Sequence, residues 1–158
     1  MTPASDLAAS LLALERASSG RFALCVGSGG EVERLSGLLP PSERDVFWAD
    51  GGVLRPPPGR HHPFTSADTY EGELRAYFGA CPRFDAVVLE PGADGAVGPI
   101  RLGSVEALED ERWAIVAADG RFTLTLPVLR AARRLVLLGR PSPLLPGAEV
   151  VSPSATRR

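Results

Sequence analysis

A few segments of this 158-residue chain hold residue types able to do chemistry. Gly27-Ser28-Gly29-Gly30 lies between an apolar run and a helical pattern, so its backbone N–H groups and the following helix dipole form an anion cradle suited to a phosphate. A dinucleotide fingerprint would need a further glycine, and Val32 stands there instead. Asp50, about twenty residues on at a predicted strand end, is the one feature favouring a nucleotide. Asp94 stands in the Gly-flanked turn PGADGAVG, although Asp and Gly are also ordinary turn formers. His61 and His62 adjoin in RPPPGRHHP without acidic or Cys companions at ligand spacing, so they read as an exposed pair holding no metal. Cys25, inside an apolar run, reads as core packing, and Cys81 has no paired His to activate it. The sequence contains no GxSxG, P-loop or lysine, so Schiff-base chemistry and a lysine phosphate clamp are excluded. No cofactor is implied.

Five short, near-continuous apolar runs would position these residues: 22–27, 45–50, 84–90, 113–119 and 135–139. Unbroken apolar character is the pattern of strands buried on both faces of a parallel sheet. Helical spacing separates them over 6–18 (Ser5 or Asp6 as N-cap), 31–39, 66–78 (Ser66 or Asp68 as cap) and 126–134. The alternation predicts an α/β fold: three layers, a mostly parallel open sheet of about five strands, and helices on both faces. Ligands of such sheets bind at the carboxyl ends of the strands. Gly27–Gly30, Asp50–Gly52, Glu90–Ala96 and Asp119-Gly120 all fall on that rim. The stretch 55–63 reads as loop. One domain is expected over 1–141, with 142–158 as a frayed tail.

Composition narrows the class. Hydrophobic residues make up 44% against 23% charged, enough to close a core. The net charge of −2 gives no case for nucleic acid or an anionic membrane. No apolar run reaches the ~18–20 residues that span a bilayer, and Asp6 and Glu15 interrupt any signal-peptide pattern. Two cysteines fit a reducing cytoplasm.

Taken together, these segments resemble the 6-phosphogluconolactonase family, which is related to the glucosamine-6-phosphate deaminases. YEGELRAYFGACPRFDAVVLEPGADG, from Tyr70 to Gly95, is similar to the family's "YE-x-x-LR", "P-x-FD-x-VLLG" and "G-x-DGH". RFTLTLPVLRAARRLVLL, from Arg121 to Leu138, is similar to "R-[IV]-TLTLPVLN-x-AR". Val26–Gly30 resembles the phosphate loop "LSGGSTP", and VFWADGG resembles "FFWGDER". The resemblance implies hydrolysis of 6-phosphoglucono-δ-lactone to 6-phosphogluconate in the pentose phosphate pathway. On that reading Asp50 and Asp94 remain of the catalytic set, and Ser28, Gly29, Gly30, Gly95 and Arg140 of the substrate-binding set.

The departures fall on the chemistry. The family's general base, the His of "DGH", is matched by Ala96, and the phosphate-binding Arg of "GDER" by Gly52. Glu31-Val32-Glu33 replaces Ser-Thr-Pro, placing carboxylates beside the phosphate loop. Arg140 is the only stand-in for the basic residue expected near the C-terminus, and His61 or His62 the only replacement base. Lactonase activity is therefore expected to be weakened or lost. The alternative is a non-catalytic sugar-phosphate-binding or protein-interaction module on the same scaffold. Its partners would be a phosphosugar or lactone if it is active, and a protein or second copy if it is degenerate.

Overall fold

The computed structural model describes residues 3–152. Six parallel strands form the main sheet: β1 (Ala23–Val26), β2 (Asp45–Trp48), β3 (Arg60–His62), β4 (Ala86–Leu89), β7 (Leu135–Leu138) and β8 (Glu149–Val151). Their spatial order is β3-β2-β1-β4-β7-β8. The chain thus runs outward from β1 through β2 to β3, then returns to the other side of β1 at β4. A crevice opens at such a reversal, outside the carboxyl ends of the strands.

Side-chain alternation divides the core. Leu24 and Val26 of β1, Val46 of β2 and Val88 of β4 face α1 (Pro3–Ala17) and α2 (Gly30–Ser36), which bury Leu7, Leu11, Val32 and Leu35. Ala23, Cys25, Phe47 and Val87 face α3 (Ala67–Phe78) and α4 (Leu126–Arg130) through Tyr70, Leu74, Leu126 and Leu129. This is the expected three-layer α/β arrangement. Ser66 caps α3 by accepting from the Thr69 N–H at 3.2 Å. Cys25 is fully buried in the core, and burial pushes its thiol pKa well up.

Several expectations are corrected. The run 113–119 is no strand of the parallel sheet: β5 (Ala114–Val116) pairs antiparallel with β6 (Phe122–Leu124) as a separate hairpin. Its turn closes through the Ala117 N–H donating to the Arg121 carbonyl, with the Asp119 carboxylate accepting from the Arg121 N–H. The tight turn leaves no room for a crossover, so the two strands must run in opposite directions. The hairpin also attaches to the end of β2, where the Leu124 N–H donates to the Ala49 carbonyl at 2.8 Å and Asp50 bridges Thr123.

The proline-rich stretch 55–63 ends in β3, an edge strand. His62 stacks on Phe47 with centroids 4.2 Å apart, and its Nε2 lies 3.0 Å from Asp45 Oδ1. The frayed tail is corrected as far as residue 151: Ser142, Leu144 and Leu145 are buried, and β8 pairs with β7. Residues 153–158 lie outside the described residues. Helix α1 begins at Pro3, so Ser5 and Asp6 lie within its first turn rather than at the N-cap. Helix α4 ends at Arg130, short of the expected 134, and the arginines beyond it make tertiary ties: Arg133 to Asp85 and Arg134 to Glu149.

Candidate functional site

Beyond β1 the chain turns sharply through Gly27 and Ser28, and Asp50 follows β2 by two residues. The Asp50 carboxylate joins the two loops. Its Oδ2 accepts from the Ser28 N–H and hydroxyl, each at 3.1 Å, and its Oδ1 from the Gly52 N–H at 2.7 Å. Two adjoining cavities of about 230 and 150 Å³ open here, both lined by Ser28, Asp50, Gly98 and Arg121. Gly51, Gly52, Pro99, Gly120 and Phe122 complete the larger one, and Leu89, Glu90 and Val97 wall the smaller. The larger cavity of this cleft lies against the loops after β1 and β2, and the smaller reaches the end of β4, beside the reversal in strand order.

The glycine loop is occupied from within. Glu90, the residue after β4, extends its carboxylate to the start of α2, where Oε1 accepts from the Glu31 N–H at 2.7 Å and the Val32 N–H at 3.4 Å. Gly29 adopts φ +137°, and a Cβ there would lie 2.3 Å from Glu90 Oε1, so only glycine admits the carboxylate. Two amide donors at the start of α2, directly after the loop that the resemblance assigns to a phosphate, are thus bonded to the protein's own anion.

The expected site residues divide. Ser28, Asp50 and Gly52 meet in the cleft, and Gly29 packs on Glu90 beside it. Gly30 is exposed at the first turn of α2. Asp94 lies outside both cavities, where Oδ1 accepts from the Ala96 N–H at 3.0 Å and Oδ2 pairs with Arg101 at 3.4 Å. The turn's hydrogen bond to the Ala96 N–H holds the Asp94 carboxyl below its ordinary pKa. Gly95 is buried against Pro143, and its carbonyl accepts from the Ser142 hydroxyl. Arg140 is exposed and away from the cleft; the cation that reaches it is Arg121, whose Nε donates to Asp119 at 2.7 Å. The imidazoles of His61 and His62 engage the Pro57 carbonyl and Asp45, the first residue of β2, whereas Asp50 lies beyond its last. Neither histidine serves the cleft.

Sequence reasoning missed Arg121 and Phe122 as lining residues, and it placed Glu90 on the rim without a role. Their signals were present: Arg121 and Phe122 open the RFTLTLP segment directly after the rim pair Asp119-Gly120, and Glu90 stands where "VLLG" has glycine. Among the described residues no group of three or more His, Cys, Asp or Glu could hold a metal ion, and no helix is long and apolar enough to cross a membrane.

Residues 40–140 match the family described as glucosamine-6-phosphate isomerases/6-phosphogluconolactonase. The chain belongs to this family. Solved structures agree on the fold. The devB protein superposes with TM-score 0.71 at 18% identity, covering 86% of this chain and 75% of its own. The 6-phosphogluconolactonase of Thermotoga maritima gives 0.64 at 17%, covering 85% and 77%. That of Leishmania guyanensis gives 0.66 at 17%, covering 94% and 90%. No curated protein matches the chain by sequence.

Proposed function

We propose that this chain is a 6-phosphogluconolactonase-type protein in which hydrolysis of 6-phosphoglucono-δ-lactone is weakened or lost. The observation that carries the reading is the Glu90 carboxylate 2.7 Å from the Glu31 N–H. A phosphate ester brings about two negative charges, and at this loop it meets a fixed anion already holding the Glu31 and Val32 amides. Gly52 stands where the family has its phosphate-binding Arg, and Arg121, the cation that lines the cleft, is paired with Asp119. Ala96 offers only a methyl group where the family's base acts, and loss of a general base typically costs about 10²–10⁴-fold in rate. Asp50 is committed by both oxygens to loop amides, so its evident work is to shape the cleft. The cleft itself survives, which favours a small molecule over a protein partner as its occupant. A cytoplasmic setting fits this reading, since neither Cys25 nor Cys81 is in a disulfide.

The test is hydrolysis of freshly generated 6-phosphogluconolactone coupled to 6-phosphogluconate dehydrogenase, with the spontaneous rate subtracted. The wild-type chain is expected to match background, and Ala96→His alone to stay there, because Glu90 still blocks the phosphate loop. Clear wild-type turnover would overturn the reading.

A further inference from the structure

We infer that the cleft takes a small hydroxylated molecule without phosphate, a single sugar-like ring held through its own hydroxyl donors. The inference rests on the loss of phosphate recognition proposed above and names what replaces it. Its first support is the polarity of the walls. Asp50 is only 7% exposed and Glu90 half-buried, so two carboxylates face a confined space. Glu90 spends Oε1 on the α2 amides, while its Oε2 carries no hydrogen bond among the described residues. Asp50 Oδ1 accepts one donor and retains capacity for a second. A ligand must therefore bring hydrogen-bond donors, and an anion is repelled. Arg121 does not reverse this balance, because its charge is matched by Asp119 at 2.7 Å; its remaining N–H groups suit a ring or carbonyl oxygen.

Shape gives the second support. Gly51, Gly52, Gly98 and Gly120 bring backbone rather than side chains to the larger cavity, and Phe122 and Pro99 supply apolar faces. Phe122 is held in place by stacking on Phe64, with centroids 5.4 Å apart and planes 7° apart. Apolar walls with a few convergent acceptors are the usual make-up of a small-molecule site. The volume of about 230 Å³ is below the ~300–1,000 Å³ range of ordinary ligand pockets, which limits the occupant to one ring.

The probes are glucose and glucose 6-phosphate, which differ only in the phosphate, followed by ligand-observed saturation-transfer NMR on the full chain. Glucose is expected to bind the wild type at least about tenfold more tightly than its phosphate ester. Glu90→Gln, which removes the charge but keeps an acceptor, should narrow that ratio; circular dichroism checks that it folds. Equal or tighter binding of glucose 6-phosphate by the wild type overturns the inference, as does the absence of glucose binding up to about 10 mM. The lactonase assay separates the two readings. Turnover of the phosphorylated lactone sinks the proposed function, whereas no turnover with no glucose binding sinks this inference alone.

Discussion

Two carboxylates on either side of β1 do opposite things to the same rim. Glu90 satisfies the first amides of α2 and so removes donors from the cleft, while Asp50 draws the β1 and β2 loops together and so forms it. Asp50 is nearly buried and receives three hydrogen bonds, which makes it a sensitive probe of that architecture. In Asp50→Asn one carboxylate oxygen becomes an NH₂ group that must face a backbone N–H, leaving at least one buried donor unpaired. The cost of such an unpaired group is about 1–3 kcal/mol. Urea unfolding of Asp50→Asn should show a lower midpoint at unchanged m-value. An unmoved midpoint would mean that the loops are held together by something other than this carboxylate.

At the scale of elements, the β5–β6 hairpin forms the cleft wall carrying Arg121 and Phe122, and Glu71 ties it to α3 together with the Asp68–Arg112 pair and the Arg75 guanidinium over Trp113. Glu71 Oε1 accepts from the Trp113 N–H at 2.8 Å, the Ala114 N–H at 3.1 Å and Arg112 Nε at 3.0 Å. Burial alone would raise its pKa, but these bonds and Arg75 outweigh burial and hold the carboxyl below its ordinary value. Glu71→Ala should cost about 1–3 kcal/mol, and the loss should be local. Amide exchange at Trp113 and Ala114 should accelerate well before that of β1 and β4. A uniform loss of protection across the sheet would show that the hairpin is not a separate unit. The same elements explain how much of the fold was legible in the sequence. β1, β2, β4 and β7 are buried on both faces, so each reads as an unbroken apolar run. β3 (RHH) and β8 (EVV) are three-residue edge strands, too short and too exposed to carry such a signature. The hairpin's apolar run was legible but its partner was not, because pairing direction is set by the turn at Asp119-Gly120. In the site, glycines and acidic residues marked the rim; which of them points inward depends on the strand order, and no spacing encodes that.

For the whole molecule, the sheet is open at both sides, and carboxylates help fasten both edges. Asp45 holds β3: it accepts from Tyr77 at 2.8 Å, pairs with Arg60 at 3.2 Å and contacts His62 at 3.0 Å. Burial alone would raise the Asp45 pKa, but the bonds to His62, Tyr77 and Arg60 prevail and lower it. At the other edge, Arg134 bonds Glu149 at 2.9 Å and holds that carboxyl below its ordinary value. A carboxylate whose folded pKa is depressed adds stability that is fully present above its unfolded pKa, about 3.9 for Asp and 4.3 for Glu, and is lost as pH falls through the folded value. Both edges should therefore loosen in acid while the centre, where β1 and β4 are held by apolar burial, persists. Deuterium uptake at about pH 3, corrected for intrinsic rates, should rise in β3 and β8 before β1 and β4 relative to about pH 6. Asp45→Asn should show raised uptake in β3 at both pH values and little further change between them, since it has removed the titrating group. If wild-type β3 stays as protected in acid as near neutrality, Asp45 does not fasten that edge, and the ladder with β2 and the stack of His62 on Phe47 hold it.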